Sequence, residues 1–193
     1  MKTFKIATLI FILLSSLGIS AQVFVDFNSQ WSYFKGTSEP SRPNTLWIEP
    51  NFNDLSWPKG NAPFRYGDGQ DGTELTDMMG KYTTLFVRKE FTVENVDLID
   101  QFKIFADYDD GFVLWINGKM IFKRNAPNDF AYDQTAPGNH DSGEIESYIF
   151  TANNAELING RNVIAIQGFN IISASTDFFL NFKLVGTAKL TQM

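Results

Sequence analysis

"ADYDDGFVLWINGKMIF", residues Ala106 to Phe122, sets one apolar run between two turn signals. Tyr108 ends one strand and Phe112 begins the next, so Asp109-Asp110-Gly111 must reverse the chain. Asp bonds back to nearby backbone amides and tolerates unusual φ, and Gly takes positive φ without a Cβ clash. A turn therefore accounts for all three residues. A partial calcium site would need several more oxygen ligands, and a catalytic pair would need a second carboxyl across a cleft. At the far end Asn117-Gly118 is the strongest short hairpin signal, because both central residues of a type I′ turn need positive φ. Between the turns, "FVLWIN" is continuously apolar, as expected of a strand deep in a sandwich.

The period of two extends in both directions. In "YTTLFVRKEFTV", Tyr82 to Val93, Leu85, Val87, Phe91 and Val93 share one face while Arg88, Glu90 and Thr92 share the other. That is a half-buried antiparallel strand. Phe102, Ile104 and Ala106 are in phase before the aspartates. Later come "ESYIFT", "RNVIAIQGFN" and "DFFLNFKLVG", with Val163, Ala165 and Phe169 alternating in the second and Phe178, Leu180, Phe182 and Leu184 in the third. Helix is scarce: Asn153 to Ile158 makes at most one turn, ended by Asn159-Gly160. Trp31 to Thr73 is rich in Pro, Gly, Asn and Trp and reads as two or three short strands joined by long ordered loops. Many short strands and few helices predict an all-β protein, an antiparallel β-sandwich of jelly-roll type.

The first residues read as an address. Lys2 and Lys5 precede an apolar stretch from Ile6 to Leu17, and small residues lead to Ala21, which predicts a secretory signal over residues 1–21. The alternative is a retained anchor, for which the apolar stretch is short. Cleavage leaves 14 basic against 22 acidic residues, a charge of −8, which disfavours nucleic acid as a partner. The chain has no cysteine, which excludes a disulfide framework and a lipid attached at a junction cysteine. Residues 22–193 are expected to form a single sandwich domain without a transmembrane segment, large enough for a full core.

"DYDDGFVLWINGKMIFKRNAP" (107–127) followed by "LINGRNVIAIQGFN" (157–170) resembles the galactose-binding-like jelly-roll domains of secreted and surface bacterial proteins. It is also similar to the non-catalytic sugar-binding sandwich of family 2 glycoside hydrolases. In that pattern a strand like "TTLFVRKEFTV" precedes the hairpin, and "APFRYG" (62–67) belongs to the front half. The resemblance runs from Trp31 to Leu184. It implies a fold used for carbohydrate binding, for calcium-stabilised surface contacts, or for packing alone, and fold analogy does not choose among these.

Individual residues narrow the choice. His140 is the only histidine, so a triad or zinc site would rest on it alone; in the polar "APGNHDSGE" it reads as a solvent-facing loop residue. Glu144 and Glu146 read as a solvated strand edge. "YGDGQDG" (66–72) lacks the Lys of a phosphate loop and the spacing of a calcium hand, and reads as a flexible surface loop. Trp31, Trp47 and Trp115 read as core. Sugar rings pack their C–H faces on aromatic side chains while their hydroxyls bond Asp, Asn and Arg. That chemistry singles out Trp57, Arg65, Tyr66, Asn128, Asp129 and Tyr132 as candidate carbohydrate-binding residues on loops. No nucleophile–base pair can be named, so no enzymatic activity is expected. The expectation is an exported module, periplasmic, on the cell surface or released, that binds carbohydrate. The alternative is a structural module binding an envelope or extracellular protein. No cofactor is called for, with a structural calcium left open.

Overall fold

The computed structural model describes residues 21–189. The expected export signal, apart from Ala21, lies outside the described residues. Among the described residues twelve strands form two six-stranded sheets. The first sheet, here sheet I, contains β1 (Ala21–Val25), β4 (Phe64–Tyr66), β5 (Thr73–Glu74), β7 (Ile99–Asp109), β10 (Glu146–Phe150) and β12 (Phe178–Ala188). Its order is β10-β7-β12-β4-β5, with β1 also paired to β12. Sheet II contains β2 (Gln30–Lys35), β3 (Lys59–Asn61), β6 (Thr84–Val93), β8 (Gly111–Ile116), β9 (Lys119–Arg124) and β11 (Gly160–Phe169) in the order β3-β2-β6-β11-β8-β9. All pairings are antiparallel except the short β4–β5 contact.

The predicted alternation builds the layer between the sheets. Leu85, Val87, Phe91 and Val93 of β6, Phe102, Ile104 and Ala106 of β7, and Phe178, Leu180, Phe182 and Leu184 of β12 all enter one inter-sheet core. Phe112, Leu114 and Ile116 join it from β8. Their alternates Val113 and Trp115 are also buried, as are Phe86 of β6 and Ala165 and Phe169 of β11, because a second apolar cluster lies on the outer face of sheet II. This explains the unbroken apolar run of β8. It also corrects the reading of β11: Ala165 and Phe169 face the outer cluster, and Ile164 and Ile166 face the inter-sheet core.

Asn117-Gly118 makes the expected hairpin, with φ of 50° and 84°. Asp109-Asp110-Gly111 differs from a hairpin: β7 belongs to sheet I and β8 to sheet II, so the turn carries the chain across the sandwich. The Asp110 carboxylate bonds distant rather than nearby amides, accepting from the N–H of His140 (3.0 Å) and of Ile171 (2.7 Å). Gly111 is required by space, since a Cβ there would stand 2.1 Å from the carbonyl oxygen of Asn125. The one short helix expected near Asn153 is a 3₁₀ turn at Ala152–Ala155, with Thr151 and Asn154 forming a capping box.

Candidate functional site

Two loops cover the outer face of sheet II. The 46–57 segment brings Trp47, Ile48, Phe52 and Trp57, and the 126–136 segment brings Ala126, Phe130, Tyr132 and Ala136. The buried Arg88 of β6 fastens the first: its guanidinium donates to the carbonyls of Trp47 and Glu49 and pairs with Asp54 at 3.2 Å, and it lies over the Phe52 ring. Thr83 and Thr84 fasten the second by donating to the carbonyls of Gln134 (2.8 Å) and Tyr132 (2.5 Å).

Where the two covers meet they leave a hollow of about 400 Å³ lined by Asn44, Thr45, Trp47, Ile48, Trp115, Met120, Asn128, Asp129, Phe130 and Gln167. Trp115 stands edge-on to Trp47 at 5.4 Å and to Phe130 at 5.6 Å. Lys123 lies over the Phe130 ring and donates to the Asn128 side chain at 3.0 Å, which holds wall and rim together. Gln167 is fully buried; its Nε2 makes a long bond to the Ala131 carbonyl (3.4 Å), and its Oε1 has no donor. A buried acceptor without a donor is uncommon and calls for an explanation.

The six sequence-predicted residues do not form one site. Asn128 and Asp129 meet at the rim of this hollow. Trp57 is buried in the adjoining cluster between Trp47, Phe34 and Phe52. Tyr132 lies on another side of the same loop, in a hollow with Lys81, Thr135 and Ile172. Arg65 and Tyr66 are on β4 in sheet I. Arg65 donates to the Asp71 carbonyl (2.7 Å), and the Tyr66 hydroxyl donates to Ser175 O and accepts from Asn170. Trp47, Trp115, Phe130 and Gln167 were the residues sequence reading missed as site members. Trp115 and Gln167 sit on strands whose two faces are both apolar, so nothing in the pattern marks them as lining a hollow.

Sheet I carries two polar clusters. His140 is not a solvent-facing loop residue: its ring stacks on Tyr108 at 4.1 Å and meets Glu146 at 3.4 Å. Glu146 also accepts from the Tyr108 and Tyr148 hydroxyls. Partial burial works against its ionisation, but these hydrogen bonds prevail and hold its carboxyl below the usual range. The second cluster gathers Asp68, Asp109 and Asp177, each with a carboxylate oxygen within 4.8 Å of the others. Burial, then the charges of Asp110, Asp177, Asp141 and Asp68, push the Asp109 carboxyl up to about 8.

No protein-family model matches the chain, and no curated protein does. Among solved structures its fold is similar to part of a β-glucuronidase from an uncultured Clostridium sp., at 14% identity and a TM-score of 0.54, over 93% of this chain and 31% of that one. It is similar to part of a Ruminococcus gnavus β-glucuronidase at 8% identity and a TM-score of 0.54, over 90% and 30% of the two chains. A Bifidobacterium dentium β-glucuronidase gives 15%, 0.51, 88% and 30%. The chain thus spans less than a third of each of these proteins. At such identities the likeness is one of fold: a β-sandwich like one found within family 2 glycoside hydrolases.

Proposed function

We propose that this chain is an exported, non-catalytic carbohydrate-binding module whose glycan site is the hollow between Trp47, Trp115 and Phe130, rimmed by Asn128 and Asp129. The observation that carries the reading is a hollow walled by aromatic rings with the polar Asn128 and Asp129 beside them. The C–H face of a sugar ring packs on the aromatic edges, and its hydroxyls bond the Asn128 and Asp129 side chains. Sugar binding also suits a fold found within β-glucuronidases. A contact of this size gives weak affinity per site. A hydrolase is disfavoured because its carboxyls must flank a bound sugar, whereas Asp109 in the acidic cluster is only 4% exposed.

The test is a glycan panel probed with the purified chain. Saturable binding that is lost in Asp129→Ala and in Asn128→Ala, and kept in Tyr132→Ala, supports the site. A blank panel, or binding indifferent to Asn128 and Asp129, refutes it. A second reading, a module that binds an envelope or extracellular protein, draws on the outer face of sheet I. There Phe27, Phe105, Ile145, Ser147 and Lys183 line an apolar hollow of about 480 Å³, and Ile145 and Ile149 are more than half exposed.

A further inference from the structure

We propose that Asp68, Asp109 and Asp177 form a site for a divalent cation of the calcium class, at the corner where β4 and β7 end and β12 begins. The pairing of sheet I brings them together. Tyr66 pairs with Phe178 and Phe179 pairs with Asp109, so the residues just beyond β4, at the end of β7 and just before β12 share one edge. The β4–β5 loop is drawn onto the chain before β12. Gly67, at φ 79°, sits so close that a Cβ would stand 2.3 Å from the Thr176 carbonyl oxygen. Any side chain at that position pushes Asp68 away from Asp177.

The independent sign of a ligand is Asp109. Its side chain lies almost wholly inside the protein, yet Oδ1 has no hydrogen-bond donor. Among the described residues no lysine or arginine pairs with any of the three aspartates. The neighbouring Asp110 is different in kind, because both of its oxygens are already taken by backbone amides. Three clustered carboxylates without a counter-charge repel one another, and a buried one among them is costly. A cation removes both penalties.

The donor set selects the metal. All three ligands are hard anionic oxygens, with neither imidazole nor thiolate among them, which disfavours zinc and copper. They come from three separate chain segments, an irregular arrangement that suits the variable six-to-eight-oxygen shell of Ca²⁺ better than the near-ideal octahedron required by Mg²⁺. Asp177 is positioned by the Ser175 hydroxyl, which donates to its Oδ1 at 3.1 Å. The site belongs to sheet I and does not depend on the glycan reading, which concerns sheet II.

The experiment is calorimetric titration of the chelator-treated full chain with CaCl₂ and, separately, MgCl₂, with the melting temperature followed in parallel. One saturable Ca²⁺ site that raises the melting temperature is expected. Asp68→Asn, an exposed position that leaves the fold intact, is expected to weaken it by more than about tenfold. A folded chain that gives no saturable heat with either ion overturns the proposal, as does an affinity unchanged in Asp68→Asn and Asp177→Asn. Tighter binding of Mg²⁺ than of Ca²⁺ overturns the calcium-class assignment.

Discussion

Two neighbouring aspartates illustrate how little residue identity says until partners are known. Asp110 spends both carboxylate oxygens on the amides of His140 and Ile171, and so ties two loops to the crossover between the sheets. An amide at that position offers one acceptor and turns its NH₂ toward an N–H donor. Asp110→Asn is therefore expected to destabilise the protein by about 1–3 kcal/mol. Asp109 lacks a donor at Oδ1, faces two other carboxylates and has its carboxyl pushed up to about 8, so near neutral pH folding must either protonate it or bury its charge; Asp109→Asn removes that cost and gives Asp68 and Asp177 a donor. In chelator it is expected to stabilise the chain by at least about 1 kcal/mol. Urea unfolding of the two variants checks the pair of signs, and equal losses in both would contradict this division of roles.

At the scale of strands and turns, what could be read from the sequence depended on how many faces each element buries. β7 and β12 bury one face each and show clean alternation, so Phe102, Ile104, Leu180 and Phe182 were legible as core. β8 and β11 bury both faces, which erases the alternation, and Ala165 and Phe169 could not be assigned to the outer cluster from pattern alone. The Asn117-Gly118 hairpin was legible because its chemistry is local. The edge strand β10 was legible as a strand in "ESYIFT", but the role of Glu146 was not, because it rests on partners elsewhere: expected to be a solvated edge charge, Glu146 gathers Tyr108, Tyr148 and His140, with Arg124 lying over the Tyr148 ring. Its carboxyl is held below the usual range, so the unfolded chain takes up the proton first as pH falls. The network's stabilisation is thus present above the ordinary glutamate pKa, near 4.3, and is lost as pH drops through the lowered value. Glu146→Gln is expected to flatten the acid side of the stability profile, read as melting temperature from pH 7 down to about 3. A profile parallel to that of the parent chain would show that the network contributes nothing.

Over the whole molecule the two outer faces are treated differently: sheet I leaves Ile145 and Ile149 exposed, while sheet II is roofed by two loops that also make the hollow. That asymmetry was hidden in the sequence, because the roof joins Trp47, Trp115, Phe130 and Gln167 from loops and strands far apart in the chain. The acidic corner was hidden for the same reason, its three aspartates meeting only through the pairing of β4, β12 and β7. The roof depends on Arg88, whose guanidinium is buried in sheet II beneath the 46–57 segment and satisfied by two carbonyls and Asp54. Burial draws its pKa down while Asp54 supports the charge. Replacing it with Met keeps the apolar stem but leaves the Trp47 carbonyl without a donor, the Glu49 carbonyl with the Phe52 N–H alone, and Asp54 without its partner. Arg88→Met is expected to cost about 3 kcal/mol, with hydrogen exchange rising in residues 46–57 before it rises in β6 or β11. Because Trp47 forms one wall of the hollow, the same variant is expected to weaken glycan binding although Arg88 does not line it. If exchange rose uniformly across both sheets, Arg88 would be a core stabiliser and the roof would not be a separable unit.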